Sequence, residues 1–280
     1  MNRRILLIVS VLFGPGCLWF GGKALYNLRP LAPLPGAAGV IVNETSSSWA
    51  RLNLADGCAV VNNTWNSAVA GRDFHQSIFV EQLRGEQEVG WRWRTPWQLI
   101  PTVVSQPQLV CGDKPWDPPL HLRSEFPFAA GNKNVVVDFN AQLRGSGTYN
   151  MALTLWAVSS LPASKSVITH EIMIWTLKNG EGPAGKRVGK VNVAGTKYDV
   201  YVEKNHKDAS GLNANTWTYV AFVPERAVLQ GPLQVSAFTD YLLQHGSLSP
   251  RQYLTSIEFG NEVCEGSGIV EINNFALRFN

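Results

Sequence analysis

The feature that most constrains the fold of this chain is a series of short segments rich in β-branched and aromatic residues. From residue 40 onward, turn residues interrupt these segments about every 8–15 residues, and Gly, Asn, Pro or Ser stands at most of the breaks. Such spacing is typical of a β-sandwich or a β-barrel, so we predict an all-β fold. The predicted strands include residues 135–139, 149–158, 171–175, 190–202 (two strands about a turn), 217–223 and 269–279.

One segment follows a helical pattern instead. In residues 235–245, the apolar side chains Phe238, Tyr241 and Leu242 recur at spacings of three and four, and Gly246 follows as a stop signal. We therefore predict a single α-helix. The sequence has neither a βαβ alternation nor a Gly-rich phosphate loop, which argues against a dinucleotide-binding fold.

Composition and charge exclude two further classes of protein. The chain is 45% hydrophobic and only 16% charged, whereas a disordered chain needs low hydrophobicity and high net charge. The formal net charge is +3, but four basic residues lie in the first 30, and the rest of the chain has 20 basic against 21 acidic residues. Because binding to phosphates needs a basic surface, we predict no nucleic-acid partner.

The N-terminus has the character of an export signal. Residues 1–4 carry positive charge, and residues 5–22 contain no charged residue, which just reaches the length that can span a membrane. We predict a signal or anchor segment at residues 1–24, a Pro-rich linker at 25–40 and a folded domain at 41–280. The positive flank predicts that the domain is secreted or periplasmic, either released or tethered to the inner membrane.

The cysteines and histidines give no sign of a metal site. Cys17, within the N-terminal segment, offers the alternative of a lipid anchor. The exported part has three cysteines, Cys58, Cys111 and Cys264, so at most one disulfide can form within it. A Cys58–Cys111 bridge is conceivable, although sequence does not fix the pairing. The five histidines are scattered, and we predict neither a metal nor a cofactor.

One strand places a carboxylate beside unusual neighbours. Successive side chains on a strand point to opposite faces, so Ile172 and Ile174 face one side and Glu171, Met173 and Trp175 the other. A carboxylate beside a thioether and an indole is typical of a cleft wall, where an aromatic ring can stack on a sugar. The alternative is that Glu171 merely begins the strand in water.

A second segment also places carboxylates on the strand face opposite the core. In residues 253–268, alternation directs Ile257 and Phe259 toward the core, and Glu258 and Glu262 toward the opposite face. Two carboxyl groups across one cleft are the requirement of glycoside hydrolysis, in which one acts as nucleophile or base and the other as general acid.

Several motifs occur together in the order and spacing of one known family. They are Asn62-Asn63-Thr64-Trp65, Lys114-Pro115-Trp116 after Ile100-Pro101, EIMIW from Glu171, Gly182-Pro183-Ala184-Gly185, WTYVAF from Trp217, YLTSI from Tyr253, and Gly260-Asn261-Glu262. Across roughly residues 50–280, the chain resembles glycoside hydrolase family 12, the small endo-β-1,4-glucanases.

This resemblance implies a fold, a reaction and a substrate. The implied fold is a β-jelly roll of two curved antiparallel sheets with a concave substrate cleft and one α-helix. Glu171 would be the nucleophile and Glu262 the general acid and base of a retaining mechanism, with carboxyl groups about 5–5.5 Å apart. The partner would be a β-glucan, with cellulose-like β-1,4-glucan first and xyloglucan or mixed-linkage glucan as alternatives. We expect a monomer.

The resemblance also implies residues that bind the substrate. Met173 would lie beneath the reacting sugar, and Trp65 would stack on a sugar. Asn62 would hydrogen-bond a sugar hydroxyl, and Trp116 would line the cleft.

Two positions depart from the family pattern. Thr154 stands where family members usually carry Asp beside the nucleophile, and its hydroxyl could donate a hydrogen bond to Glu171. Glu258 stands where relatives often carry Gln. Its charge would raise the pKa of Glu262 by repulsion and so replace part of the missing Asp charge. Glu258 is also the rival for the acid and base role.

The sequence also allows alternatives for a tryptophan cluster and for the function. The cluster of Trp91, Trp93 and Trp97 fits either an additional sugar-stacking strip or core packing, and we favour the core. Because fold alone does not settle function, a non-catalytic carbohydrate-binding jelly roll is the main alternative to an enzyme. A structural envelope protein is a third possibility, but it would not explain the acidic cleft face.

Overall fold

The computed structural model describes residues 36–98, 101–117, 123–180, 182–207, 210 and 214–280. The predicted signal at 1–24 and most of the predicted linker lie outside the described residues. Within the described ranges, no helix is both long and apolar enough to cross a membrane.

The described part of the chain consists mainly of strands, as the sequence predicts. The strands are β1 Val40–Thr45, β2 Arg51–Asn53, β3 Cys58–Val61, β4 His75–Leu83, β5 Glu86–Thr95, β6 Gln108–Gly112, β7 Phe128–Ala129, β8 Val135–Val158, β9 Ile168–Asn179, β10 Lys186–Val193, β11 Thr196–His206, β12 Trp217–Pro224, β13 Gln230–Gln234, β14 Tyr253–Gly260 and β15 Val263–Phe279. The α-helix α1 is Val235–Gln244, and short 3-10 helices cover Ser67–Asp73 and Lys165–Val167.

These strands form a hydrogen-bonded sheet that curls over itself into two layers. One path of neighbours runs β1-β4-β5-β15-β8-β14-β6-β3-β2, and a branch from β8 continues through β9, β12, β11 and β10. The first part of β8 pairs with β15, and its last residues pair with β14 and β9. All these pairings are antiparallel except that of β9 with β12, which is parallel. The predicted jelly-roll architecture is confirmed, with β8 joining the layers.

The core lies between the two layers and follows strand alternation. Along β8, the odd-numbered residues face the core at both ends, from Val135 and Val137 to Leu153 and Leu155. Because the odd-numbered face is buried at both ends of this long strand, the sheet folds back on itself and encloses that face. The opposite face is left for the site.

The tryptophans of β5 belong to this core. Trp91 and Trp93 are fully buried, and the Trp93 ring meets Tyr149 edge-on at 5.4 Å between centroids. A Cβ atom at Gly268 on the neighbouring strand would lie 2.4 Å from the Trp93 ring, so this position must be glycine. The core interpretation of Trp91 and Trp93 is therefore confirmed.

The helix α1 packs on the core through its predicted apolar side. Phe238 contacts Tyr198 and Phe222 with ring centroids 4.9 and 5.0 Å apart. The helix ends one residue before the predicted boundary. Gly246 adopts a φ of +66°, and the Ser247 N–H donates to the Leu242 carbonyl at 2.9 Å, which closes the last turn.

A disulfide joins two strands next to the site. Cys58 and Cys111 lie opposite each other on β3 and β6, with Cα atoms 4.4 Å apart, and form the bridge that the sequence left open. Cys264 is buried.

Candidate active site

Four of the predicted site residues, Thr154, Glu171, Met173 and Glu258, share the face of β8, β9, β12 and β14 that points away from the core, here called the cleft face. Strand register arranges this face in rows of side chains that lie directly beside one another. One row crosses the strands as Glu203, Tyr219, Glu171 and Trp156. The next row crosses as Val110, Glu258, Thr154, Met173 and Ala221. Cross-strand neighbours of this kind lie about 4.5–5.5 Å apart, so the two rows form one contiguous surface.

Glu171 is a buried carboxyl group of the cleft face. Its side chain is only 9% exposed, and the Trp217 indole N–H donates a 2.8 Å hydrogen bond to its Oε2 atom. Burial raises the pKa of Glu171 to about 8, and the nearby charge of Glu262 adds to this. The Trp217 hydrogen bond acts in the opposite direction, because it stabilises the ionised form.

Glu262 follows β14 directly and is held by one residue of β8. The Asn150 side-chain amide donates to Glu262 Oε2, and the Glu262 backbone N–H donates to Asn150 Oδ1 at 3.0 Å. The Asn150 backbone N–H also donates to the Glu262 carbonyl at 3.1 Å. Because Asn150 is fully buried, these bonds fix both the backbone and the carboxyl group of Glu262.

The structure brings Glu171 and Glu262 together, since the charge of Glu262 acts on the ionisation of Glu171. The separation of 5–5.5 Å remains a prediction.

Glu258, the rival for the acid and base role, is engaged in an ion pair. It is almost fully buried, and its Oε2 atom lies 3.0 Å from Nζ of Lys114. Ser256 donates to the other carboxyl oxygen at 3.2 Å. Burial raises the pKa of Glu258, and the Lys114 ammonium acts against that rise. A carboxylate bound by an ammonium is a poor proton donor, so this arrangement favours Glu262 for the acid role.

Thr154 does not make the expected hydrogen bond to Glu171. Its hydroxyl is buried and has no hydrogen-bond partner among the described residues. The register explains why: Thr154 lies opposite Met173, whereas Trp156 lies opposite Glu171. The donor to Glu171 is instead Trp217, on the other neighbouring strand.

Met173 is part of the floor of the cleft face. It is fully buried in a cluster with other apolar side chains of β8, β9 and β12. The cluster consists of Ala152, Met173, Trp175, Tyr219, Ala221 and Val223. This position agrees with a residue beneath the site that supports its floor.

The prediction that Asn62 hydrogen-bonds a sugar directly is wrong. Asn62 is fully buried, its amide nitrogen donates to the Ser47 carbonyl at 2.9 Å, and its Oδ1 atom accepts from Gln76 at 2.8 Å. These contacts occupy its amide within the protein because Asn62 anchors the segment that carries Trp65. Its role is therefore structural.

Two tryptophans remain accessible near this segment. Trp65 is partly exposed, as a sugar-stacking residue requires. Trp49 is 51% exposed, and its backbone N–H donates to the Asn62 carbonyl at 2.9 Å. Sequence reasoning missed Trp49, because it lies in a turn with a positive φ and not on a strand with a readable face.

Trp116 joins an aromatic cluster beside Glu171. Its ring centroid lies 5.1 Å from that of Trp156 and 5.5 Å from that of Trp217, and both contacts are edge-on. Trp116 is partly exposed, so it can line the cleft while it supports the indole that binds Glu171.

Three residues of the site were not singled out for a role by sequence: Asn150, Trp217 and Lys114. Trp217 and Lys114 occur within recognised motifs, but their contacts depend on the parallel β9–β12 pairing and on a loop conformation. Among the described residues, no group of three or more His, Cys, Asp or Glu side chains is placed to hold a metal ion.

Comparison with known proteins gives a consistent result. The family model described as Glycosyl hydrolase family 12 matches residues 56–280. Endoglucanase S of Pectobacterium parmentieri is 28% identical over 89% of this chain and 94% of the relative. A protein of Phytophthora nicotianae named inactive glycoside hydrolase XLP1 is 26% identical over 78% of this chain and 84% of its own. Among solved structures, the native family 12 xyloglucanase from Bacillus licheniformis superposes with a TM-score of 0.75 at 27% identity, covering 85% of this chain and 100% of that one.

Proposed function

Because the chain belongs to glycosyl hydrolase family 12, we propose that it is an endo-acting glucanase that cleaves β-1,4-glucosidic bonds in cellulose-like β-glucans. The observation that carries this proposal is the pair of carboxyl groups on the cleft face, Glu171 and Glu262, which interact although they are distant in the chain. A glycosidase needs such a pair on opposite sides of the scissile bond.

The reaction is a double displacement with retention of configuration. The Glu171 carboxylate attacks the anomeric carbon, and the bond to the leaving oxygen breaks as Glu262 gives this oxygen its proton. A covalent glycosyl-enzyme results. Glu262 then removes a proton from water, which attacks the same carbon and releases Glu171 as a carboxylate. Neither step requires a metal or a cofactor.

The reaction requires that Glu171 is ionised when Glu262 holds a proton. Burial favours the protonated form of Glu171. The Trp217 N–H bond and the Lys114 ammonium both favour its ionised form. These two groups therefore favour the carboxylate form of Glu171 that attacks the anomeric carbon.

Three tryptophans outside the strands of the cleft face are further candidate binding groups for a polysaccharide. Trp65 and Trp49 supply aromatic surface on which sugar rings can stack, and Trp116 extends the aromatic wall beside Glu171. Met173 supports the floor. Relatives named endoglucanase and xyloglucanase leave cellulose-like glucan, xyloglucan and mixed-linkage glucan as candidate substrates within one family.

A non-catalytic carbohydrate-binding protein is the second candidate. It is favoured by Thr154, which replaces the carboxylate expected beside the nucleophile, and by the relative named as inactive. Against it stands the pair Glu171 and Glu262, because a groove that only binds sugars gains nothing from a buried carboxyl group with a second carboxyl group beside it.

Hydrolysis of soluble carboxymethylcellulose tests the proposal. Glu171→Ala should abolish nearly all reducing-sugar release, and azide should restore turnover with an inverted glycosyl azide as product. Glu225→Ala, which removes an exposed carboxylate of a surface ion pair, is the matched control and should retain full activity. Near wild-type activity of Glu171→Ala would refute the assignment. A wild-type protein that binds glucans without cleaving them would establish the second candidate.

The N-terminal sequence supports a location outside the cytoplasm. The protein is secreted or periplasmic and acts as a monomer, with residues 1–24 as the signal or membrane tether. Intact-mass spectrometry of the exported protein tests the signal, because cleavage would shorten the chain by a defined mass and a tether would leave it intact.

A further inference from the structure

A buried ion pair at the cleft face takes no direct part in the bond changes of the proposed reaction. Lys114 and Glu258 are 8% and 1% exposed, and their charged atoms are 3.0 Å apart. Removing two charges from water is costly and is only partly offset by their attraction. A well-packed apolar pair could be equally stable at this position, so stability alone does not account for these residues.

The position of the pair relative to Glu171 suggests what it does. Glu258 lies opposite Thr154, which in turn lies opposite Met173, two residues from Glu171 on the same strand face. The charges of Glu258 and Lys114 both reach Glu171, the first raising its pKa and the second lowering it. The ion pair therefore acts on Glu171 through two opposed charges.

We propose that Lys114 is a positioning residue of the catalytic centre, whose ammonium neutralises the buried Glu258 carboxylate so that this charge does not suppress the ionisation of Glu171. The inference rests on the proposed function of Glu171 as nucleophile. Three carboxyl groups meet on this face, and the reaction needs Glu171 ionised while Glu262 holds a proton. Burial already destabilises the ionised form of Glu171. Without Lys114, the negative charge of Glu258 would repel the Glu171 carboxylate with no positive charge to offset it.

Other charged groups around this centre are paired among themselves. Asp117 acts on Glu258 and lies 3.9 Å from Arg51. On the β11 side, Glu203 contacts His206 at 2.6 Å, and Tyr219 stands between their strand and Glu171. Among the described residues, Glu262 is the other charged group that acts on Glu171. These groups are unchanged in the variants below, so a shift in the pH profile reports the Lys114–Glu258 pair.

The test is the pH dependence of kcat/KM on carboxymethylcellulose for three variants. Its acid limb reports ionisation of the nucleophile in the free enzyme. Lys114→Met should move this limb to higher pH by about one unit, which is about a tenfold loss of kcat/KM on the acid side. Glu258→Gln leaves an unopposed ammonium and should move the limb to lower pH. It should also lower the alkaline limb if Glu258 repels Glu262. The double variant should return close to wild type.

Opposite shifts that cancel in the double variant support the proposal. A Lys114→Met profile that superimposes on the wild-type profile overturns it, whatever the change in kcat or stability. Lys190→Met is the matched control, since it breaks a 3.0 Å Lys–Glu pair on the exposed surface and should not move the profile.

A second readout separates this inference from the proposed function. Titration of Glu171 by carbon NMR, with glutamate labelled at the carboxyl carbon, measures its ionisation without any turnover. A Glu171 pKa that rises in Lys114→Met and falls in Glu258→Gln supports the inference even if no glucan is cleaved. An inactive wild type would refute only the proposed function, whereas an unmoved Glu171 titration in both variants would refute the role of Lys114.

Discussion

At the scale of single residues, the surroundings of Glu171 oppose the ionisation that the proposed reaction requires. Its carboxyl group is buried beside a second carboxyl group, and both conditions favour the neutral form. The folded protein therefore binds the Glu171 proton more tightly than the unfolded chain does. By linkage, the stability that depends on this proton is complete below pH 4.5 and is lost as the pH rises toward about 8.

Glu171→Gln should therefore stabilise the protein in a pH-dependent manner. Gln keeps the shape of the side chain but cannot ionise, so the variant escapes the cost of burying a charge. We expect its melting temperature to match that of the wild type near pH 4 and to exceed it by several degrees at pH 8, as measured by calorimetry. Glu225→Gln, an exposed position, should show no such trend. A difference that does not change with pH would contradict this account.

At this scale, the sequence predicted correctly which face of a strand a side chain occupies, because side chains alternate between the two faces. The faces of Ile172, Met173 and Ile174 follow directly from alternation. Prediction from the sequence failed for Asn62 and Thr154, because their contacts depend on which side chains lie across from them. Asn62 is enclosed by Ser47 and Gln76, and neither neighbour is visible in the linear motif.

At the scale of elements, the helix α1 packs on the curled sheet, and Phe238 is its largest fully buried side chain. Phe238 is fully buried against Tyr198 of β11 and Phe222 of β12, which belong to the branch that carries the cleft face. Loss of this ring would leave a cavity beneath strands that present Tyr219 to the site.

Phe238→Ala should destabilise the protein by about 3–5 kcal/mol, the usual cost of removing a buried aromatic ring. Unfolding in denaturant measures this change. Asp240→Ala, on the exposed side of the same helix, controls for altered helix propensity and should have little effect. A loss below about 1 kcal/mol for Phe238→Ala would show that the helix does not support the sheet.

The elements show why some boundaries could be predicted and others could not. The helix matches its prediction to one residue, and the turn of the β10–β11 hairpin lies at the predicted position, although both strands extend four residues beyond the predicted 190–202. In contrast, β8 is one strand of 24 residues where the sequence suggests separate strands at 135–139 and 149–158. The intervening stretch contains Gly145 and Gly147, which normally mark a break. Here it remains extended because β15 pairs with it throughout, and a Cβ at Gly147 would lie 2.1 Å from the Glu265 carbonyl.

At the scale of the whole molecule, the curled sheet brings together residues that are far apart in the chain. Glu171 and Glu262 are 91 positions apart, and they meet because β8 pairs with β9 on one side and with β14 on the other. Composition and strand spacing predicted the all-β class, but no periodic pattern specifies which strands become neighbours. The pairing of β9 with β12 in parallel was the least predictable part, and it supplies Trp217 to the nucleophile.

The most direct test of the account is to trap the covalent intermediate. A cellobioside with a good leaving group, and with fluorine on the carbon next to the anomeric centre, forms a glycosyl-enzyme that breaks down slowly. Peptide mass spectrometry then locates the sugar. We expect one cellobiosyl adduct on Glu171, and none in Glu171→Gln. An adduct on Glu258 or Glu262, or rapid turnover of the compound without any adduct, would contradict the assignment of Glu171 as the nucleophile.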